Sequence, residues 1–174
     1  KIYMRNQISI IIPVFNEEDS LEELFSEISQ ALRDFSIYEV IFIDDGSSDN
    51  SFNVMQKIAD IDNRVSAIQL YKNYGKADAL SIGFKHAKGD IIVTMDADLQ
   101  DNPSEIVRLI KKIEEGWDLV SGWKKKRKDP WSKRIPSKLF NFTTRHLTGI
   151  KIHDFNCGLK AYRRKVIHAL NIYG

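Results

Sequence analysis

The sequence predicts a single α/β domain with a mostly parallel central sheet and helices on both faces. Three observations carry that expectation. Short β-branched runs alternate with segments whose apolar residues recur every three to four positions, the pattern of strand–helix–strand units. Some runs are apolar without alternation, as in strands buried on both faces. The chain has 174 residues, 43% hydrophobic and 29% charged, which suits one sizeable core, and nothing marks a second domain.

Ile8 to Val14 is a continuous β-branched run, with Pro13 near its end, where a missing N–H costs least. The loop Phe15-Asn16-Glu17-Glu18-Asp19 leads to Ser20-Leu21-Glu22-Glu23, a capping box. The helix it opens carries Leu21, Leu24, Phe25, Ile28, Leu32 and Phe35 on one face. Tyr38 to Ile43 is the second strand. It ends in Asp44-Asp45-Gly46-Ser47-Ser48-Asp49, a turn and cap for a helix that points Val54, Met55, Ile58 and Ile61 inward. Val65 to Leu70 is the third strand. Lys72-Asn73-Tyr74-Gly75-Lys76 turns the chain into a helix from about Ala77 to Ala87, which buries Leu80, Phe84 and Ile82 or Gly83. Gly89 is expected as the left-handed residue after its end.

Ile91 to Met95 is the fourth strand. Asn102-Pro103-Ser104-Glu105 reads as cap, N1 proline and N3 glutamate of a helix with the buried stripe Ile106, Leu109, Ile110 and Ile113, stopped by Gly116. Leu119 to Gly122 is a short fifth strand. The alternation then breaks into Trp123 to Arg134, a strongly basic run with two tryptophans. A helix from Ser137 to Leu147 follows, then Leu159 to Tyr162 and a final short helix begun by Arg163-Arg164-Lys165.

Ligands of such sheets bind beyond the carboxyl ends of the strands. Three of these ends are polar: Asn16-Glu17, Asp44-Asp45 and Asp96-Ala97-Asp98. A bend after the strand lets Asp96 and Asp98 both reach one ion, and Gln100 adds a neutral oxygen at the same spacing. Mg²⁺ and Mn²⁺ take such hard oxygen sets, with substrate phosphates completing the shell. An acidic helix-capping loop is the plainer alternative. Asp44 or Asp45 can accept from a base N–H or a ribose hydroxyl, or serve only to form the Asp-Gly turn. Lys76 can meet a phosphate or stay solvated. No Gly-x-Gly-x-x-Gly follows the first strand and no Gly-Lys-Ser/Thr loop occurs, which argues against dinucleotide oxidoreductases and P-loop NTPases.

The net charge of +2 argues against a nucleic-acid partner, although the basic run fits a solvated loop, a nucleic-acid patch or anionic lipid head groups. Its tryptophans favour the last of these, since the indole ring settles in the headgroup zone. Cys157 is the single cysteine, so an internal disulfide is excluded and a reducing compartment is expected. No apolar run approaches the ~18 residues that cross a bilayer. The expected organisation is one catalytic domain over residues 1–174, cut before membrane-associated segments.

Ile10-Ile11-Ile12-Pro13-Val14-Phe15-Asn16-Glu17, Asp44 to Asp49, Lys72 to Lys76 and Asp96 to Asp101 occur in that order, and together they resemble the family 2 glycosyltransferases of the GT-A fold. Among these the chain is most similar to the polyprenyl-phosphate sugar transferases, from about Ile8 to Val166. The resemblance implies an inverting, metal-dependent transfer from a UDP- or GDP-linked sugar to a polyprenyl phosphate at the cytoplasmic face of a membrane. It implies that Pro13, Phe15, Glu17, Asp44 or Asp45, Lys76, Asp96 and Ala97 bind the nucleotide-sugar, and that Asp96, Asp98 and Gln100 hold Mg²⁺ or Mn²⁺. It places Lys124, Arg134, Ser137, Lys160 and Arg163 toward the acceptor phosphate, with Asn141 in the same motif as Arg134. Lys124 and Lys160 stand where the family more often has arginine, so the charge is kept without the bidentate fork. Asp98, Arg134 and Asp154 are the candidate catalytic residues. A lipid phosphate needs no general base, whereas a glycan hydroxyl does, and Asp154 would be that base. A catalytically silent nucleotide-sugar-binding module and a nucleotidyltransferase are the remaining alternatives. Oligomeric state is not legible.

Overall fold

The tertiary structure, a computed structural model, describes residues 6–122 and 157–169. In chain order the elements are β1 (Ile8–Val14), α1 (Leu21–Ala31), β2 (Tyr38–Asp44), α2 (Ser51–Ile61), β3 (Val65–Gln69), α3 (Lys76–His86), β4 (Ile91–Thr94), α4 (Glu105–Glu114), β5 (Leu119–Ser121), β6 (Lys160–Arg163) and α5 (Arg164–Ala169). The strands form one sheet in the order β3-β2-β1-β4-β6-β5. β3, β2, β1 and β4 are parallel neighbours, and β6 runs antiparallel between β4 and β5. Strand order reverses at β1, which pairs with β2 on one side and β4 on the other. That is where an α/β sheet opens a crevice.

The alternation of β1 explains the two layers. Ile8, Ile10, Ile12 and Val14 face a large apolar core with α1, α2 and α4, including Leu24, Ile28, Met55, Ile106 and Ile110. Ile11 faces the opposite side, where α3 covers a smaller core with Ile41, Ile43, Ala79 and Ile92. Burial on both faces is why five of this strand's seven residues are Ile or Val. Pro13 is tolerated for a related reason. The last β1–β4 bond is Met95 N–H to the Ile11 carbonyl at 3.1 Å, so the strand beside Pro13 has already bent away.

Several local expectations are corrected. The capping box at Ser20 does not form. Ser20 is already helical in its backbone, and its hydroxyl donates back to the Glu17 carbonyl at 3.0 Å. Ile61 is not core but 87% exposed, because it ends α2 where the chain leaves the core. Gly89 is not a left-handed cap. The chain leaves α3 through an extended Ala87, and Gly89 packs so closely on β1 that a Cβ would lie 2.5 Å from the Ser9 nitrogen. Asn102 does cap, accepting Ser104 N–H at 2.9 Å, but as a turn ahead of α4, which begins at Glu105. Arg163 closes a strand rather than opening a helix.

Candidate active site

A cleft of about 330 Å³ opens at the carboxyl ends of β1, β2 and β4, lined by Pro13, Val14, Phe15, Glu17, Asp45, Asn73, Gly75, Lys76, Asp96, Ala97 and Asp98. Two loop systems build its walls. The loops after β1 and β2 lock together through side chains on backbone. Ser47 Oγ and Ser51 Oγ accept the N–H groups of Asn16 and Glu17 at 3.0 and 2.9 Å, and Asn16 Oδ1 accepts Ser48 N–H at 2.8 Å. Asn16 adopts a left-handed φ of 55° to do this, which Asn tolerates better than most residues. Burial pushes the Asp49 carboxyl upward, but hydrogen bonds from the hydroxyl and N–H of Ser51 and from Glu18 N–H outweigh it. The group is held below the ordinary carboxylate range.

The other wall is the 72–76 turn. Asp45, only 3% exposed, accepts Tyr74 N–H at 2.8 Å and Gly75 N–H at 2.9 Å. Gly46 lets the two loops meet. Its φ is +73°, and a Cβ there would fall 2.4 Å from the Lys72 carbonyl carbon. The sequence left Asp44 and Asp45 as equal candidates for the nucleotide, and the structure separates them. Asp45 lines the cleft. Asp44 is fully buried and occupied, accepting Ser47 N–H at 3.0 Å and the Gln69 amide at 3.2 Å, so it acts on the turn rather than on a ligand.

The acidic motif follows β4. The strand ends at Thr94, so the bend after it brings Asp96 and Asp98 to the same cleft. Lys76 forms an ion pair with Asp96 across it. Asp98 is exposed, its Oδ1 accepting Gln100 N–H at 3.1 Å. Gln100 itself is exposed and not part of the cleft wall, because a left-handed turn at Leu99 (φ 56°) redirects the chain. Burial raises the Glu17 carboxyl above its ordinary value. The charges of Asp98, Asp49 and Asp96 raise it further, against a hydrogen bond from Ser20. Glu17 therefore registers an accumulated negative field at this rim.

Among the described residues no three His, Cys, Asp or Glu side chains form a ready-made metal cage. Two carboxylates in a negative field nevertheless suit a hard divalent cation whose remaining ligands come from a diphosphate.

The late segment reaches the same rim. β6 pairs Lys160 with Thr94, and Thr94 Oγ1 donates to the Gly158 carbonyl at 2.9 Å. Gly158 lies against the Asp96 carboxylate so tightly that a Cβ would sit 2.4 Å from its Cγ. Gly158, Asn73, Gly75 and Val14 were not singled out from the sequence as site residues. Their signals, turn glycines and a motif fragment, acquire meaning only when the loops are brought together. Lys160 lies at the cleft end of β6, in register with Thr94, but is not among the residues that line the cleft. Arg163 pairs with Ile91 at the opposite end of β4, its Nε donates to the Trp117 carbonyl at 3.2 Å, and a second guanidinium nitrogen donates to the Ile113 carbonyl. Its expected contact with an acceptor phosphate is corrected accordingly, because those bonds cap the end of α4. Lys124, Arg134, Ser137, Asn141 and Asp154 lie outside the described residues.

Comparisons with known proteins agree on the fold. Two curated relatives are undecaprenyl-phosphate 4-deoxy-4-formamido-L-arabinose transferases. That of Proteus mirabilis is 43% identical over 167 residues, covering 95% of this chain and 51% of the relative. That of Shewanella sediminis is 46% identical over 165 residues, covering 94% and 50%. The chain thus spans about half the length of these relatives. Among solved structures, a mannosyltransferase of Pyrobaculum calidifontis in complex with GDP-Man and Mn²⁺ superposes with a TM-score of 0.73 at 21% identity, covering 98% of this chain and 48% of that one. Glucosyl-3-phosphoglycerate synthase of Mycobacterium tuberculosis, in complex with Mn²⁺ and UDP-glucose, gives 0.71 at 20% identity, covering 95% and 59%. The glycosyl transferase family 2 model matches residues 9–170. With that match across nearly the whole chain, on a six-stranded GT-A sheet whose polar strand ends meet in one cleft, the chain belongs to glycosyl transferase family 2.

Proposed function

We propose that this chain is a catalytic domain that moves a sugar from a nucleotide-diphosphate donor to a polyprenyl phosphate, with inversion, at the cytoplasmic face of a membrane. The observation that carries this is the cleft. Pro13, Phe15, Glu17, Asp45, Lys76, Asp96, Ala97 and Asp98 come from three strand ends and one turn into a single wall. The polyprenyl acceptor is supported by the two relatives named for undecaprenyl phosphate and by Lys160 at the cleft end of β6. Among the described residues no helix is long and apolar enough to cross a membrane. The basic, tryptophan-containing run after Gly122 is proposed, from its composition, as the segment that meets anionic lipid.

Phe15, half exposed on the cleft wall, offers an apolar face to the nucleoside, and Pro13 and Ala97 shape the wall beside it. Asp45 keeps the 73–75 backbone in place against the nucleotide. Asp96 and Asp98 would hold Mg²⁺ or Mn²⁺, which supplies charge stabilisation to the departing nucleoside diphosphate. Lys76 offers an ammonium to the same phosphates. The lipid phosphate attacks already ionised. Lys160, with Lys124, Arg134 and Ser137, would bind and orient it, and no proton need be removed. In the second reading, a glycan hydroxyl acceptor, Asp154 would remove that proton.

The test is a donor screen that measures nucleoside diphosphate release with Mn²⁺, with and without polyprenyl phosphate. UDP or GDP release stimulated by the lipid is expected. Asp98→Ala should abolish metal-dependent transfer while leaving the circular dichroism spectrum unchanged. Full-rate transfer by that variant would remove the metal assignment. Stimulation by a soluble glycan instead of the lipid would overturn the acceptor, and pyrophosphate as product would mark a nucleotidyltransferase.

A further inference from the structure

The cleft is lined by four carboxylates, Glu17, Asp45, Asp96 and Asp98, against one ammonium, Lys76, among the described residues. Asp45 is committed to two backbone N–H groups. Lys76 is committed to Asp96, with their side chains 51% and 25% exposed, so the pair sits at the open mouth and not in a sealed interior. A nucleoside diphosphate entering this wall meets net negative charge, and the cation suited to receive it is already engaged. A divalent ion approaching Asp96 meets the same ammonium as a competitor.

From this we infer that Lys76 is an exchangeable counter-ion. It holds Asp96 while the cleft is empty, yields Asp96 to the divalent ion, and passes to the donor diphosphate. This inference rests on the donor-site assignment above and adds an order to it: the metal and the diphosphate enter cooperatively, because each completes the exchange the other begins. Lys76 is placed for the role as the first residue of α3, directly after the Gly75 turn that Asp45 anchors. Its stem starts from a fixed point while its ammonium swings. An exposed pair of this kind is weak enough to be broken by either ligand.

The test is binding, without turnover. Free Mn²⁺ is titrated by electron paramagnetic resonance, and UDP and GDP are titrated by calorimetry with and without Mn²⁺. Lys76→Met should bind free Mn²⁺ ~3- to 10-fold more tightly than wild type, since a competing charge is gone, and should bind the Mn²⁺-nucleotide more weakly. Lys76→Arg, which keeps the charge, should hold free Mn²⁺ as wild type does. Lys72→Met removes a nearby ammonium that stacks on Tyr74, 5.2 Å from the ring centre, and should also leave Mn²⁺ affinity unchanged. Asp96→Asn frees Lys76 and should gain nucleotide binding in the absence of metal by ~5-fold or more. Unchanged or weaker Mn²⁺ binding in Lys76→Met, or no metal-free gain in Asp96→Asn, overturns the exchange. Wild-type protein that binds neither nucleotide with Mn²⁺ removes the donor-site assignment itself. The two failures are therefore distinguishable.

Discussion

Gly158→Ala tests how the late segment supports the acidic motif. The added Cβ would lie 2.4 Å from Asp96 Cγ and Oδ2 and 2.5 Å from Oδ1. Ordinary contact begins near 3.4 Å, so one partner must move by about 1 Å. The Gly158 φ lies outside the left-handed region, so alanine is acceptable to the backbone and the effect is steric alone. Its carbonyl is tied to Thr94 Oγ1 at 2.9 Å, which leaves the Asp96 side chain as the softer partner. Displacing it costs little stability, about 1 kcal/mol at the low end of overpacking, because the carboxylate is partly solvated. The functional cost is much larger. A misplacement of ~1 Å at a charge-stabilising group lowers turnover by ~10²-fold. The assay is donor turnover against Mn²⁺ concentration, paired with thermal unfolding. We expect a raised Mn²⁺ requirement and strongly reduced kcat, with Tm lower by only a few degrees. A variant with wild-type Mn²⁺ dependence would refute the claim that Gly158 seats Asp96.

Two further outcomes follow from the same geometry. Glu17 has its folded-state carboxyl raised by burial and by Asp98, so the folded protein binds that proton more tightly than the unfolded chain. The contribution to stability is complete below the ordinary Glu range and is lost as pH rises through the raised value. Glu17→Gln should therefore raise Tm at neutral pH, with the gain vanishing in acid, and a gain that instead grew in acid would reverse the assigned direction. Arg163→Met should cost about 1 kcal/mol in chemical denaturation through the lost α4 cap, without changing KM for polyprenyl phosphate. A tenfold rise in that KM would restore Arg163 to the acceptor site.

The strands and helices were legible because their signals are local. The Ile- and Val-rich runs, the stripe Ile106-Leu109-Ile110-Ile113 and the stop at Gly116 each follow from periodicity or from one residue's chemistry, and each is where it was expected. Local signals failed where a neighbour outside the window decided the outcome. Gly89 looked like a helix end and serves as a contact with β1. Ser20 is the exception, since it looked like a cap and turns back to Glu17, only three residues away. Arg163 looked like a basic ligand and caps a helix fifty residues earlier in the chain.

The cleft proposed for the donor shows the same division. That Asp96 and Asp98 suit a hard cation, and that polar strand ends mark a site, follows from ligand chemistry and from the rule for parallel sheets, and both can be read along the chain. Which of two adjacent aspartates faces the cleft, that Lys76 engages Asp96, and that Gly158 lies beneath that carboxylate are properties of loops that meet across twenty to more than sixty residues. Sequence determines what each residue can do. Only the sheet order, with β1 between β2 and β4 and β6 turned back against β4, determines which of those capacities share one space, because charge and steric overlap act over a few ångströms regardless of separation along the chain.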